Sequence, residues 1–469
     1  MKFLYFCAMI SQDTICAIAT PAGNGAISVI RMSGKNSFLI ADKIFFSIKS
    51  DKKISTAKAN SILFGTIQFD DKIIDEVLVS VFKTPYSYTG EDSVEISCHG
   101  SVFIQQKILE ILIKSGARLA NPGEYTMRAF FNGKIDLSQA EAVADLIASS
   151  SESSHKIAIN QVRGGFSKEI NFLRSELLDF ISLIELELDF SEEDVQFADR
   201  EKLKVLIDKI QQKVQSLMNS FKLGNVIKKG IPIAIIGEPN VGKSTLLNAF
   251  LNEEKAIVSE IAGTTRDAIE DVIVLNGIQF RFIDTAGIRN SVDTIENIGI
   301  SKTFEKISEA NIVLYVFDIN KVSKQHIEQK LQELETFITE KDKKIILIAN
   351  KFDLSNESKK LEIDSKYKTI YVSAKHKINL EQITETLIKT VNFNINSSDV
   401  VVSNVRHFEA LTNVNQAIVE IKNGLESNIS GDFLAQDIRQ ALHYLGLITG
   451  QVSEDEILGN IFSRFCIGK

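Results

Sequence analysis

The order of apolar and polar positions changes twice along the chain, and its first part is rich in strands. Short apolar runs alternate with turn residues up to about residue 120, as in ICAIATPAGNGAISVIRMSG, SILFGTIQF, IIDEVLVSVF and DSVEISCHG. Runs of this length, bounded by turn-forming residues, are typical of strands. The stretch SVFIQQKILEILIKSGA instead has a helical period and predicts a helix that ends at Gly116. We therefore predict an α+β domain over residues 1–130.

Long amphipathic helices are predicted on both sides of a central region. From about residue 135, the segments DLSQAEAVADLIASSSESSHKIAINQ and NFLRSELLDFISLIELELDF repeat apolar residues with helical spacing. The same spacing returns after Ser397, in VRHFEALTNVNQAIVEIKNGL and FLAQDIRQALHYLGLITG. Two unrelated helical domains would account for this pattern. We prefer a single bundle, formed by residues 131–228 and 393–469, because neither half alone has enough helices to bury its apolar faces.

The central region, residues 229–392, alternates strands with helices. The change begins at Lys228-Lys229-Gly230, and the apolar strands that follow are IPIAIIG, IQFRFIDTAG, ANIVLYVFD, KIILIANK and TIYVSAK. This alternation is typical of an α/β domain. The overall prediction is a multi-domain α/β plus α protein, with the α/β domain inserted into the helical bundle.

Composition limits the partners and the compartment. The chain has 469 residues, of which 44% are apolar and 24% charged, as in a soluble protein of several domains. Its net charge of −8 does not attract polyanions, so a nucleic-acid partner would need a local basic patch or a second protein. The four cysteines have neither zinc-site nor disulfide-framework spacing, which favours a reducing cytosol.

No targeting or membrane segment is expected. No apolar run reaches the roughly 18 residues that a membrane span needs. The N-terminal MKFLYFCAMI lacks the positive region of a signal peptide and is expected either to extend a first strand or to precede a start at Met9. The prediction is a cytoplasmic protein without membrane contact.

The segment IPIAIIGEPNVGKSTLLNAFL contains a phosphate-binding loop between a strand and a helix. Glycines at 237 and 242 let backbone N–H groups surround phosphates, and the helix N-terminus adds the positive end of its dipole. Lys243 would reach the β- and γ-phosphates, and the Ser244 hydroxyl would ligate Mg²⁺. The flanking strand and helix make this match specific for a nucleoside triphosphate.

A second motif identifies the base as guanine. LIANKFDL offers Asn350, Lys351 and Asp353 at the end of a strand. A carboxylate there accepts from both the ring N–H and the exocyclic amine of guanine, whereas adenine would leave a buried charge unpaired. The segment VSAK, with Ser373, Ala374 and Lys375, would support the same base.

Two segments between these motifs are placed to sense the γ-phosphate. IAGTTRD offers Thr265 as a second Mg²⁺ ligand, and FIDTAGI offers Asp284 for a metal-bound water and the Gly287 N–H for the phosphate. Ile288 stands where Ras-type enzymes have a water-orienting glutamine, so another group must orient the water. The nearby Arg266 and Arg289 are either catalytic or solvated. The candidate GTP-binding residues are Asn240, Val241, Gly242, Lys243, Ser244, Thr245, Ser259, Glu260, Ile261, Ala262, Gly263, Thr264, Thr265, Asp284, Thr285, Ala286, Gly287, Asn350, Lys351, Asp353, Ser373, Ala374 and Lys375.

With these motifs in hand, the chain resembles the MnmE (TrmE) family of tRNA modification GTPases over its full length. The stretches that carry the resemblance are DTICAIATPAGNGAISVIRMSG, NPGEYTMRAFFNGKIDLSQAEAVADLI, GEPNVGKSTLLNA, IAGTTRD, DTAGIRNSVDTIENIGI and the terminal FCIGK. The terminal pentapeptide and PGEYTMRAFFNGKIDL are the most specific of these, because many GTPase families share the other motifs.

The resemblance implies a homodimer whose N-terminal domain binds a folate. It also implies a partner, the FAD-containing flavoprotein MnmG. Together they would add a (carboxymethyl)aminomethyl group to C5 of the wobble uridine of certain tRNAs, with the carbon from 5,10-methylene-tetrahydrofolate. The residues that match the family's folate site are Arg31, Glu95, Lys134 and the terminal Lys469. The net negative charge suggests that the partner shares or leads tRNA binding.

The resemblance also implies that K⁺ replaces an arginine finger. Asn240 matches the residue that holds the ion, and Ser259, Ile261 and Thr264 match its loop ligands; Ser259 departs from the family's usual threonine. Glu296 matches the glutamate that orients the attacking water, and Lys243 and Thr265 complete the expected catalytic set. Hydrolysis would be activated when two GTPase domains meet in the dimer.

Two alternatives remain open at this stage. A ribosome-assembly GTPase, or another regulatory switch without tRNA chemistry, shares the phosphate loop, although neither a second phosphate loop nor a KH-like GXXG loop occurs here. The tail FSRFCIGK has the outline of a prenylation signal, but Gly468 is not aliphatic. The resemblance instead implies that the tail folds back and places Lys469 at the folate, and Cys466 is then expected to serve in packing.

Overall fold

The computed structural model describes residues 13–48, 52–189, 199–253, 271–283, 309–337, 343–355, 366–391, 400–427, 429–452, 455–463, 465 and 467–468. The chain divides into two compact units, each built from segments that are distant in sequence. The first is drawn from residues 1–144, 161–207 and 416–469, and the second from residues 145–160 and 208–415.

A seven-stranded sheet forms the N-terminal part of the first unit. Its strands are β1 (Ile15–Ile18), β2 (Ile27–Ser33), β3 (Phe45–Ser47), β4 (Ser61–Phe69), β5 (Lys72–Phe82), β6 (Ser93–His99) and β7 (Arg118–Leu119). They lie in the order β3-β4-β5-β6-β2-β1-β7, antiparallel except for the pair β1 and β7. In β5, Val77, Val79 and Val81 are buried on one face, which confirms the half-buried strand that its alternating sequence predicts.

Helices α1 (Ser37–Asp42) and α2 (Val102–Lys114) cover one face of this sheet. Ile108 and Ile111 of α2 share an apolar cluster with Val79 and Ile96 of the strands. Burying a side chain of this size contributes about 1.5–3 kcal/mol. The end of α2 agrees with the helix stop predicted at Gly116, whose φ of +115° continues no helix.

Helix α3 (Glu124–Phe131) is fixed by a buried ion-pair network. The Arg128 side chain is fully buried and pairs with Glu124 at 2.9 Å and with Glu91 at 3.1 Å. Glu124 also pairs with Arg118 of β7 at 2.7 Å. Because a buried charge without partners is costly, this network holds α3 and the loop before β6 in one arrangement.

Four helices follow: α4 (Leu137–Ala148), α5 (Glu152–Val162), α6 (Gly165–Asp189) and α7 (Arg200–Lys229). Helical spacing is predicted over residues 136–161, but residues 149–156 contain no apolar residue, and the chain forms two helices there. The Ser154 N–H donates to the Ser151 hydroxyl, and the Ser151 N–H donates to the Ser154 hydroxyl, both at 3.2 Å. This reciprocal pair caps a new helix and so separates α5 from α4.

A six-stranded sheet forms the core of the second unit. Its elements are β8 (Ile231–Ile236), α8 (Lys243–Glu253), β9 (Asp271–Leu275), β10 (Ile278–Phe282), β11 (Ile312–Asp318), α9 (Lys324–Phe337), β12 (Lys344–Asn350), β13 (Lys368–Tyr371) and α10 (Leu380–Thr390). The order is β13-β12-β11-β8-β10-β9, parallel except for the hairpin β9–β10. The α/β prediction is confirmed. Strand β9 was not predicted, although Asn276-Gly277, both with positive φ, is a hairpin-turn signal.

The end of the chain forms three more helices: α11 (Val405–Glu426), α12 (Gly431–Thr449) and α13 (Asp455–Ser463). Helix α12 packs along α6, where Arg439 pairs with Glu185, 254 residues earlier, at 2.8 Å. Residues from both sides of the α/β region therefore share one bundle, as predicted. Among the helices that the structure describes, none has the length and apolar character of a membrane span. The three boundaries between the four predicted segments stay predictions.

A glycine pair offers a test of the packing between α7 and the segment that leads into α11. An added Cβ at Gly224 would overlap the Val402 carbonyl, whereas one at Gly459 of α13 would have no atom within 4 Å. We expect Gly224→Ala to destabilise by about 1–3 kcal/mol, because overpacking outweighs helix propensity. Gly459→Ala should stabilise by about 0.5–1 kcal/mol. Denaturant unfolding followed by circular dichroism measures both, and equal stabilisation by the two variants would contradict the packing.

Candidate functional site

The phosphate loop joins β8 to α8 at the carboxyl edge of the parallel strands. Gly237 and Gly242 adopt φ values of +149° and +100°. An added Cβ would overlap the Val316 carbonyl at the first position and the Asn350 side chain at the second. Both positions therefore require glycine. The loop meets the N-terminus of α8, and a helix N-terminus favours an anion through the positive end of its dipole.

The backbone of the loop binds the amine of Lys243. The Lys243 amine donates to the carbonyl oxygens of Gly237 and Glu238, both at 2.7 Å. A phosphate oxygen is a stronger, charged acceptor than either carbonyl, so a nucleotide would draw the amine to itself. The structure thus places the predicted residues 240–242 in this loop and residues 243–245 in the first turn of α8.

Asn350 connects the phosphate loop to the guanine-reading segments. Its side-chain amide donates to the Val241 carbonyl at 2.7 Å, and its side-chain oxygen accepts from the Ala374 N–H at 3.0 Å. The residue is only 3% exposed, so both bonds are shielded from water. Sequence reasoning placed Asn350 among the base-reading residues, and the structure shows that it organises three separate chain segments.

Lys351 lies beside Asn350 and is held by a carboxylate that sequence reasoning missed. Its amine donates to the Asn240 carbonyl and to Asp318 Oδ2, both at 2.9 Å. Burial raises the pKa of Asp318, but hydrogen bonds from Lys351 and Asn320 outweigh this and keep its pKa below the usual value. A signal was available, because the last residue of each of two adjacent parallel strands lies at the same edge.

The remaining base-reading residues lie next to this edge. Asp353 is in a short 3₁₀ turn, with Oδ2 3.6 Å from Nε2 of His376. Ser373 and Ala374 are buried, whereas Lys375 is exposed. The Ser373 hydroxyl accepts from the His376 N–H at 3.3 Å, which shapes the turn. The sequence-predicted guanine residues therefore converge on the end of β12.

Part of the predicted GTP site lies outside the described residues. This part comprises Ser259, Glu260, Ile261, Ala262, Gly263, Thr264, Thr265, Asp284, Thr285, Ala286, Gly287 and Glu296. Their assignments stay predictions.

A second candidate site lies on the seven-stranded sheet, on the face opposite α2. Arg31 and Glu95 are direct partners on β2 and β6, and Glu95 Oε1 accepts from Arg31 Nε at 2.9 Å. Both are partly exposed in a pocket lined by Arg31, Phe82, Tyr88, Thr89, Ser93 and Glu95. The pocket thus combines a cation, an anion and two aromatic rings.

Aromatic residues fix the guanidinium of Arg31. Its central carbon is 5.5 Å from the ring centre of Tyr88 and 5.6 Å from that of Tyr125. The Tyr125 hydroxyl donates to the Arg31 carbonyl at 2.8 Å. Burial raises the pKa of Tyr88, so its hydroxyl keeps its proton and its hydrogen bond to Thr126 at 2.9 Å. Neither tyrosine was predicted from the sequence.

Lys134 contacts the loop that forms one wall of this pocket. Its amine donates to the Pro85 carbonyl at 2.9 Å, and the neighbouring Asn132 side chain donates to the Thr89 carbonyl at 2.7 Å. Within the described part of the chain, Lys134 is not among the residues that line the pocket. The structure therefore brings Arg31 and Glu95 together and places Lys134 against the loop that forms one wall of the pocket.

The C-terminal tail returns to the same sheet. Gly468 is buried with a φ of +98°, and an added Cβ would overlap the Ile18 carbonyl at the end of β1. Ile18 lies opposite Ile30, the residue before Arg31. Cys466 and Lys469 lie outside the described residues. Of the cysteines, Cys16 and Cys98 are buried free thiols, and burial raises their pKa values to about 12 and about 11.

Comparison with known proteins gives full-length matches. A family model described as "GTP-binding protein TrmE N-terminus" matches residues 14–134, and one described as "MnmE helical domain" matches residues 137–466. The chain is 54% identical to the tRNA modification GTPase MnmE of Flavobacterium johnsoniae, over 98% of this chain and 100% of that protein. It is 53% identical to the protein of the same name from Bacteroides fragilis, with the same coverage.

A solved GTP-binding protein from Sulfolobus solfataricus, in complex with GDP, overlaps 46% of this chain and 66% of its own at 20% identity. Its TM-score of 0.26 is too low to support an argument. The full-length relatives and the helical-domain model, which spans most of the chain, show that this chain belongs to the MnmE family of tRNA modification GTPases.

Proposed function

We propose that this chain is a K⁺-dependent GTP hydrolase that acts in tRNA wobble-uridine modification. Its membership of a GTPase family supports the hydrolase activity. The observation that carries the nucleotide site is the convergence of Lys243, Asn350 and Lys351 on the backbone of one glycine-shaped loop. The full-length relatives are tRNA modification GTPases, and this supports tRNA as the substrate.

In the proposed GTP site, each residue has a distinct task. Lys243 leaves its two carbonyl partners to neutralise the β- and γ-phosphates. Ser244, at the start of α8, and Thr265 would ligate Mg²⁺, which supplies charge neutralisation between the phosphates. Asp353 accepts from the guanine edge, and Asn350 holds the loop at the correct distance from the base site.

Asn240 is assigned to the K⁺ site, with Ser259, Ile261 and Thr264. Its φ of +60° is left-handed, a conformation that asparagine tolerates better than most residues. Bound K⁺ would supply positive charge where other families insert an arginine. Glu296 would then orient the attacking water, in place of the glutamine that Ile288 replaces.

The K⁺ assignment predicts an ion-specific rate. GTP hydrolysis should be faster in KCl than in NaCl of equal ionic strength. Asn240→Gly should remove most of that difference, because glycine keeps the left-handed backbone but loses the ligand. GDP affinity should change little, and Asn171→Ala, at an exposed position of α6, should behave like the wild type. Equal wild-type rates in the two salts would refute the assignment.

The pocket around Arg31 is assigned to a tetrahydrofolate derivative, 5,10-methylene-tetrahydrofolate. The residues fit such a ligand, because aromatic rings can contact a pterin, Glu95 can accept from its N–H groups, and Arg31 can pair with a carboxylate. Lys134 supports the loop of Tyr88 and Thr89. The buried Gly468 lies against the Ile18 carbonyl at the end of β1. The terminal Lys469 is assigned to the same ligand.

We further propose that the chain forms a homodimer through the outer face of β4 and β5. Phe64 and Leu78 are direct partners there and are 42% and 47% exposed, and Ile62 on the same face is 65% exposed. Exposed apolar groups of this kind commonly mark an interface. Because Ser80 pairs with Glu95, this face continues into the Arg31 pocket, so a second copy would border it.

A carboxylate introduced on the outer face of β4 and β5 tests the proposed dimer. Phe64→Asp and Leu78→Asp should each shift the protein from dimer to monomer, because a carboxylate cannot be buried unpaired. Leu39→Asp is the matched control, since Leu39 is 60% exposed on α1. Analytical ultracentrifugation of nucleotide-free protein measures the result, and dimers that survive both charges would place the interface elsewhere.

We propose that the tRNA reaction is shared with the flavoprotein MnmG, which would contribute FAD. The product would be a (carboxymethyl)aminomethyl group on C5 of the wobble uridine. A shared reaction would also supply the tRNA-binding surface that a chain of net charge −8 lacks overall. The reaction would take place in the cytoplasm.

Mass spectrometry of tRNA nucleosides from a strain without the gene tests this function. C5-aminomethyl wobble uridines should be lost and should return with the full chain. Arg31→Met, or a chain without Lys469, should restore little, because the folate would lose its cationic contacts. Lys43→Met, an exposed change on the same domain, should rescue fully. Unchanged nucleosides in the deletion strain would leave a regulatory GTPase without tRNA chemistry.

A further inference from the structure

Asp318 is a carboxylate in a buried position, where its charge must be compensated by partners. It is the last residue of β11, and its register partner is Asn350, the last residue of β12. It is only 4% exposed. A buried carboxylate is costly unless it is paired and hydrogen-bonded. Asp318 meets this condition through a single lysine and a single asparagine.

The partners of Asp318 are both attached to the guanine-reading segment. Oδ2 accepts from the Lys351 amine at 2.9 Å, and Oδ1 accepts from the Asn320 backbone and side-chain N–H groups at 3.0 and 3.3 Å. The Asn320 side chain also donates to the Lys351 carbonyl at 3.1 Å. Asp318 therefore holds Lys351 at both ends, directly at the amine and through Asn320 at the backbone.

Lys351 in turn contacts the phosphate loop. Its amine donates to the Asn240 carbonyl at 2.9 Å, between that oxygen and Asp318. The residue has a left-handed backbone, with φ of +62°. A free lysine side chain carries about 2 kcal/mol of rotamer entropy. A lysine that is already fixed loses less of this entropy when a ligand binds against it.

We propose that Asp318 is a positioning residue that preorganises Lys351 for guanine-nucleotide binding and links the base site to the phosphate loop. This inference rests on the proposed assignment of Lys351 to the guanine site. Asp318 would not touch the nucleotide. Its loss would free the amine of Lys351 and thereby weaken binding, while the reacting phosphates would keep their own contacts.

The test is a double-mutant cycle on the full-length protein, with fluorescent GDP as the probe. Asp318→Asn keeps the shape of the side chain and an oxygen acceptor but removes the charge. We expect it to raise the Kd for GDP and the KM for GTP about tenfold, since a charge-assisted hydrogen bond is lost. The kcat at saturating GTP should change less than about twofold. In a Lys351→Met background, Asp318→Asn should have no further effect.

Control variants separate positioning from folding. Glu335→Gln removes a surface carboxylate that pairs with Lys366 in the same unit, and it should leave GDP binding unchanged. If Asp318→Asn does not fold, Asn320→Ala provides the second route. It should also weaken GDP binding, and only when Lys351 is present.

The possible outcomes separate the proposed role of Asp318 from the assignment of Lys351 to the guanine site. Weakening by Asp318→Asn that disappears in the Lys351→Met background supports the proposal. Additive effects, or a fall in kcat and thermal stability with KM unchanged, overturn it and leave Asp318 a structural residue. If Lys351→Met itself binds GDP normally, the guanine-site assignment fails and the role of Asp318 fails with it.

Discussion

The second unit depends on one buried amide, that of Asn350. It donates to the phosphate loop and accepts from the segment that follows β13, and it occupies the space that any side chain at position 242 would need. A buried amide that lost either bond would bear the full cost of an unsatisfied polar group. The geometry of three loops is therefore set together, and a nucleotide meets a site in which base and phosphate contacts already share one support.

The ion pair between Asp318 and Lys351 connects the end of β11 to the same nucleotide site. Parallel strands end at the same edge, so β8, β11 and β12 deliver a glycine loop, a carboxylate and an amide to neighbouring positions. Each group then uses its hydrogen bonds on the backbone of the next loop. The arrangement explains why polar residues are buried here without weakening the sheet.

The first unit contains a sheet with two faces, and only one of them is covered by α1 and α2. The other face carries the Arg31 pocket and the apolar pair of Phe64 and Leu78. The buried Arg128 network holds the loop that forms one wall of the pocket. The pocket and the exposed apolar pair therefore share one surface.

The sequence alone determined the elements and much of the nucleotide site, because helical spacing, glycine punctuation and the order of GTPase motifs are local features. It also carried the interrupted bundle and the placement of Arg31 and Glu95 in one site, the latter only through family resemblance. Tertiary structure decided the rest. Asp318, Tyr88 and Tyr125 act through partners more than 30 residues away, and no local pattern records such contacts. The break between α4 and α5 was missed, although the polar run over residues 149–156 marks it in the sequence and two serine hydroxyls cap the new helix there.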